Sequence, residues 1–345
     1  RASNGWSAFG AGQAECSEGK VKVLIKVADA TGHAAQPNEA IACGIGYLDH
    51  MLDQLNSHGQ LRLSVQAWLD SEKISPHSNV AFTTGCDHQV ATLVGSALGA
   101  AIKEMLASNR SAGTFRFLVP LDEALTDLSL IFPATGAKAP SSAVDLAPFG
   151  KFPPAGRTRI GCFRTCLTSV VLQHFAEALD VGLTVKKVRG DNAHHIVEAT
   201  FKSLARCLRS AMDTFLQQAV LLPAAVARET HKQRGTKETN IDIYVNLDAP
   251  PEISPESIST GLTTLDAMLQ KLSTFRITAK CKGDVWIDEH HSTEDLMITV
   301  GQGISSALGS KAGCCRMAWA EAQHGEAKVL CVMDLSNRPG FCSLA

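Results

Sequence analysis

The most constraining feature of this 345-residue chain is that part of it occurs twice. The stretch Glu39-Ala-Ile-Ala-Cys-Gly-Ile-Gly-Tyr-Leu-Asp-His-Met-Leu recurs as Glu256-Ser-Ile-Ser-Thr-Gly-Leu-Thr-Thr-Leu-Asp-Ala-Met-Leu, with Glu, Ile, Gly, Leu, Asp, Met and Leu matched without a gap. Further on, Ala112-Gly113-x-x-Arg116 matches Ala312-Gly313-x-x-Arg316. A repeated segment folds as one supersecondary unit and buries its apolar face against a neighbour, so a unit of roughly 120 residues opens the chain and closes it. The segment between copy one and copy two, at 150–220, is different.

Hydrophobic spacing gives both copies the order strand, helix, strand, helix. Val21 to Val27 and Ile241 to Leu247 alternate as strands, Tyr47 to Asn56 has helical spacing, Leu61 to Ala67 and Phe275 to Lys280 are strands, and Val90 to Leu106 and Leu296 to Leu308 are helices. The middle segment offers helix Val170 to Leu179, strand Leu183 to Val188 and helix His194 to Phe215, a shorter version of the same plan. Polar, basic Pro223 to Lys237 reads as a linker. The expected fold is α/β (α+β): tandem small half-domains, each a sheet with helices on one face. The expected divisions are a flexible N-terminal segment 1–19, copy one 20–149, a middle half-domain 150–222, and copy two 223–345.

Composition excludes several classes of function. With 45% hydrophobic and 19% charged residues the chain is globular, and 32 Lys+Arg against 34 Asp+Glu leave no field to attract nucleic acid or an anionic membrane. Apolar runs such as Ala219 to Val226 are too short to span a bilayer. Eleven cysteines, irregularly spaced and without a CxxC pair, point to free thiols in an intracellular reducing compartment. Arg1 to Ser17, rich in Ser, Ala and Gly, reads as a flexible terminus or the remnant of a transit peptide, which leaves cytoplasm and plastid both open.

Two His-His-x-x-Glu motifs carry the chemistry: His194-His195-Ile-Val-Glu198 and His290-His291-Ser-Thr-Glu294. Each sits where a strand hands over to a helix, and its first His and its Glu, four apart, share a helix face. Imidazole with carboxylate is a ligand set for Mn, Fe or Zn. His50, His58 and His174 lie on the helices preceding such motifs, and His50 and His174 complete the expected ligand shells.

These residues resemble the imidazoleglycerol-phosphate dehydratase family. The similarity lies in Gly44-Ile-Gly-Tyr-Leu-Asp-His-Met-Leu-Asp-Gln, Pro120-Leu-Asp-Glu-Ala-Leu, Asn192-Ala-His-His-Ile-Val-Glu-Ala-Thr-Phe-Lys202, Thr236-Lys-Glu-Thr239, Ile287-Asp-Glu-His-His-Ser-Thr-Glu-Asp295 and Asp334-Leu-Ser-Asn-Arg-Pro339. The resemblance implies paired α/β half-domains, a homo-oligomeric hollow shell with manganese between subunits, two ions per site, and removal of water from imidazoleglycerol phosphate in histidine biosynthesis. It also implies Glu238 as the proton-shuttling carboxylate and His50 as a catalytic ligand. Arg316, Arg338 and Lys202 would hold the substrate phosphate, with Arg116 as a substitute for Arg316.

The chain departs from a two-half family pattern in reading N-half, C-half, N-half. With Leu98-Gly99 set against Val300-Gly301, His88, Gln89 and Thr92 fall on His290, His291 and Glu294, so copy one lacks the full metal motif. Copy two has Ala267 where copy one has His50. The losses are complementary, which leads to the expectation that His50 approaches His290 or His291, within the chain or across an interface. The competing expectation is a non-catalytic relative serving as a structural subunit of a larger assembly.

Overall fold

The computed structural model describes residues 11–29, 40–107, 109–151, 156–215, 227–251, 257–272, 274–311, 314–336, 338 and 340–341. Three ββ(β)αβα half-domains follow one another. The first contains β1 (Ala11–Glu18), β2 (Val21–Asp29), β3 (Ile41–Ala42), α1 (Gly46–Gly59), β4 (Leu61–Leu69) and α2 (Asp87–Leu106). The second contains β5 (Gly113–Leu121), β6 (Ala124–Phe132), β7 (Ala143–Asp145), α3 (Leu167–Leu179), β8 (Gly182–Arg189) and α4 (Ala193–Phe215). The third contains β9 (Glu229–Gly235), β10 (Thr239–Asn246), β11 (Ile258–Ser259), α5 (Thr263–Leu272), β12 (Arg276–Gly283) and α6 (His290–Leu308). A hairpin, β13 (Met317–His324) and β14 (Ala327–Asp334), ends the described chain.

The three sheets share one topology: β1-β2-β4-β3, β5-β6-β8-β7 and β9-β10-β12-β11. In each, long antiparallel strands fill the centre and a short parallel strand lies at one edge. Register follows the period of two. Val23, Ile25 and Val27 of β2 oppose Ala67, Val65 and Leu63 of β4, and all six are fully buried. Each fully buried side chain of this kind contributes about 1.5–3 kcal/mol.

The chain forms two compact units, residues 1–220 with 315–345, and residues 221–314. In the first, the helices of two half-domains face one another: α1 packs on α4, and α2 packs on α3. The α2–α3 seam is close because Gly95 and Gly99 lie on it. A Cβ at Gly95 would stand 2.5 Å from the Val171 carbonyl oxygen, and one at Gly99 would stand 2.3 Å from that of Phe175. Arg209 and Asp29, both inside the core, form a 2.8 Å ion pair linking α4 to β2. The second unit is a single half-domain whose core is Ile241, Ile243, Val245, Leu269, Ala279, Leu296 and their neighbours.

The tandem half-domain architecture is as expected, but four details differ from the sequence reading. Residues 11–18 of the expected flexible terminus form β1, because Ala14 and Cys16 pack on the core while the strand pairs with β2; residues 1–10 lie outside the described residues. The sheet of the second half-domain crosses the expected boundary at 149/150, since β5 and β6 join β8. The expected linker at 223–237 contains strand β9, whose polar residues suit an edge position beside β10; its first residues, 223–226, lie outside the described residues. The last part of copy two, from Cys315 onward, belongs to the first unit, where β13 and β14 meet β5. Among the described residues no helix is long and apolar enough to cross a membrane, and the ten described cysteines are free thiols.

Candidate functional site

The repeated motif explains how α1 is aimed. Gly44 adopts φ +87°, and the Asp49 carboxylate accepts the Cys43 backbone N–H at 2.8 Å, closing the turn that launches the helix. The second copy does the same: Gly261 has φ +79°, and Asp266 accepts the Thr260 N–H at 2.9 Å. A side chain there would strain the turn, and the aspartate, one turn into the helix, reaches back to pair a backbone donor of the turn. His50 follows Asp49 and projects toward α4.

The start of α4 is also held. The Asn192 side chain accepts the His194 N–H at 3.0 Å, and Glu123, from the β5–β6 turn, accepts the Asp191 and Asn192 N–H groups. His194 and Glu198 then lie one turn apart, Nε2 to Oε2 3.1 Å, with His50 Nε2 3.9 Å from the same oxygen. Ligand atoms of His50, His194 and Glu198 all lie within 4.8 Å of one another. Gln54 stands 3.5 Å from the other His50 ring nitrogen, and the Tyr47 hydroxyl donates to the His194 carbonyl at 3.1 Å.

Electrostatics keep Glu198 ionised. Burial alone raises its pKa, but contacts with His50 and Lys202 outweigh burial and hold the carboxyl well below the ordinary range. Lys202 is buried, its Nζ 2.7 Å from Glu198 Oε1. The Glu198 hydrogen bond raises the His50 pKa above its usual value against burial. In the last turn of α1, burial with the charges of Lys202 and Arg316 pushes His58 down to about 4.

His195 points elsewhere. Its Nδ1 donates to Glu123 at 2.7 Å and its Nε2 lies 3.5 Å from Asp122, which in turn meets Arg338 at 3.2 Å. Asp122, Glu123 and Tyr47 stand inside segments that carry the family resemblance, but the sequence assigns them no role. The available signal was an Asp-Glu pair at a hairpin turn, one ββαβα position before a His-His motif. Glu238 occupies the same turn of the third half-domain.

In the second unit His290 and Glu294 repeat the one-turn spacing, Nε2 to Oε2 3.2 Å, both exposed. His291 Nδ1 lies 3.1 Å from Asp284, which raises its pKa, with Glu238 adding to the field. His174 is not drawn into the His50 cluster. It lies on α3 at the other seam, 3.5 Å from Glu177 and against Gly95 of α2, whose residues matching the His-His-x-x-Glu motif are His88, Gln89 and Thr92. Arg116 and Arg316 occupy matching places, each forked onto an aspartate across its hairpin, Asp127 and Asp334.

Paired ββαβα half-domains with a His/His/carboxylate cluster where their helices meet define a class of duplicated α/β protein with a metal-competent centre. The model of one such family, imidazoleglycerol-phosphate dehydratase, matches residues 43–208 and 260–344, and the chain belongs to that family of hydro-lyases. It is 42% identical over 129 residues to the histidine biosynthesis bifunctional protein HisB of Actinobacillus pleuropneumoniae, the match covering 35% of each chain. It is 31% identical over 217 residues to imidazoleglycerol-phosphate dehydratase of Streptomyces griseus, covering 62% of this chain and 95% of that one. The crystal structure of the Staphylococcus aureus dehydratase aligns over 58% of this chain and 97% of its own with 22% identity and a TM-score of 0.44.

Proposed function

We propose that this chain dehydrates imidazoleglycerol phosphate to imidazole acetol phosphate with manganese held at His50, His194 and Glu198. The observation that carries this reading is the meeting of three ligand atoms from helices of two half-domains within 4.8 Å. The donor set fits the ion: two imidazoles and a carboxylate suit a first-row divalent metal and leave positions for substrate. When bound, such a metal polarises a substrate oxygen and stabilises negative charge that develops as water leaves.

The chain's own residues do the rest. Lys202 holds Glu198 in the orientation that offers its oxygen to the ion. Gln54 and Tyr47 fix His50 and His194, as partners behind metal ligands do. His195, anchored by Glu123, presents its Nε2 as a further ligand, and His290, His291 and Glu294 form a second set with Glu238 beside it as the proton-shuttling carboxylate. Arg338 and Arg316 supply cations for the phosphate, with Arg116 built like Arg316, while Lys202, expected from the sequence to join them, is buried against Glu198 and contributes its charge from behind that carboxylate.

The test measures bound manganese and turnover of imidazoleglycerol phosphate on the purified full chain. The expected result is manganese in the isolated protein, loss of it from the first unit in His194→Ala, and measurable release of imidazole acetol phosphate. A chain that neither binds manganese nor turns over substrate overturns the proposal and leaves a structural role.

A further inference from the structure

In the first unit each of the four long helices has a facing helix. α1 lies on α4 and α2 lies on α3, so the first helix of each half-domain meets the second helix of the other. That pattern is self-reciprocal: exchanging the two half-domains reproduces it. The second unit is one half-domain of the same topology, and its two helices show their outer faces to solvent.

Equivalent residues make the difference plain. Met51 on α1 and Phe175 on α3 are fully buried in the seams, whereas the matching Met268 on α5 is 55% exposed. On the second helices, Phe201 is fully buried and Gly95 touches backbone, whereas the matching Met297 is 40% exposed. One turn on, Gly99 and Ala205 are packed in, while a Cβ at Gly301 would meet nothing within 4 Å. Met297 followed by Gly301 repeats the large-then-small order of Phe201 and Ala205. Between Asp295 and Lys311 α6 and its exit carry no charged residue, although Met297, Ile298, Gly301 and Ser305 are exposed. A helix face that meets only water ordinarily carries charges.

We infer that the α5–α6 face of the second unit is an interface with the same face of a second copy of this chain. Two-fold pairing sets α5 of one copy on α6 of the other, the arrangement α1–α4 and α2–α3 already make within one chain, and such isologous contact needs only one self-complementary surface. Charge agrees. The exposed Lys and Glu of the two helices are Lys271 on α5 and Glu294 on α6, one of each sign, so two copies of the face bring no net like charge together. It also places the partner's Ala267 beside His290 and Glu294, where α1 gives His50 to His194 and Glu198.

The experiment places a benzophenone amino acid at position 268 of the full chain and mixes it with an isotopically heavy copy. Photocrosslinks from position 268 to residues 294–305 of the opposite isotope are expected, together with a self-association constant lowered roughly ten-fold or more by Met297→Glu, as for loss of a central apolar contact. Met297 is exposed, so the change leaves folding intact, which circular dichroism checks. Crosslinks only within one chain, only to another protein or absent altogether overturn the inference, as does unchanged association of the glutamate variant.

Discussion

The two helix seams of the first unit share an architecture and have kept different things. At α1–α4, His50 faces His194 and Glu198 across half-buried ground. At α2–α3, His174 occupies the place of His50, but the facing positions are His88, Gln89 and Thr92, and no carboxylate stands where Glu198 does. What the second seam has instead is closeness: Gly95 and Gly99 bring α2 onto the backbone of α3. The difference separates two kinds of constraint. The motif positions lie in the first two turns of a helix, away from the seam's closest approach, so His88, Gln89 and Thr92 can stand there without loosening the packing. Seam positions one and two turns on carry the packing and stay small or apolar.

The strongest way to break this comparison is to rebuild the lost centre. Gln89→His with Thr92→Glu restores the motif opposite His174, and metal analysis should find about one more manganese per chain than in the parent. Unchanged content would show that the seams are not equivalent. Next in size, Gly99→Val drives a side chain into the Phe175 carbonyl and should cost about 3 kcal/mol in urea unfolding of the first unit. The same change at Gly301 should shift unfolding of the second unit by no more than about 0.5 kcal/mol at dilutions that prevent self-association.

His58 sharpens the comparison through pH. Its folded pKa of about 4 lies below the unfolded value of about 6.5, so the unfolded chain takes up the proton first as pH falls. The first unit should therefore be stable above the unfolded value and lose on the order of 2–3 kcal/mol between pH 6.5 and 4 through this group. His58→Gln should flatten that part of the pH–stability curve; an unaltered slope would assign the loss elsewhere. The smallest effect expected is from Tyr47→Phe, which removes the hydrogen bond to the His194 carbonyl and should cost about 1 kcal/mol in thermal unfolding.

Much of this was legible in residues alone, for identifiable reasons. Helices such as Leu167–Leu179 and strands such as Val21–Asp29 have apolar periodicity that burial enforces. The His-His-x-x-Glu spacing brought His194 to Glu198 and His290 to Glu294 because i,i+4 geometry is local. Strands β1 and β9 were missed because edge strands are held by backbone pairing and carry polar side chains. The pairing of His50 with His194 was also hidden: it joins residues from two half-domains through the α1–α4 seam, and nothing local records which helices face each other. The role of Glu123 was not legible, because it depends on a hairpin turn reaching the start of α4 from elsewhere in the chain.

The terminal hairpin has a consequence for how the molecule is made. Residues 315–345 belong with the first 220, so the second unit is an insertion within the first. Arg116 stacks over Trp319 at 4.8 Å and reaches Glu321 at 3.5 Å, and Arg206 contacts Cys315. During synthesis at about 5–20 residues per second, the first unit emerges seconds before the segment that covers β5, and an entire half-domain is translated in between. The exposed β5 edge must wait for that interval unprotected, which makes a stalled nascent chain the form most open to intermolecular strand pairing.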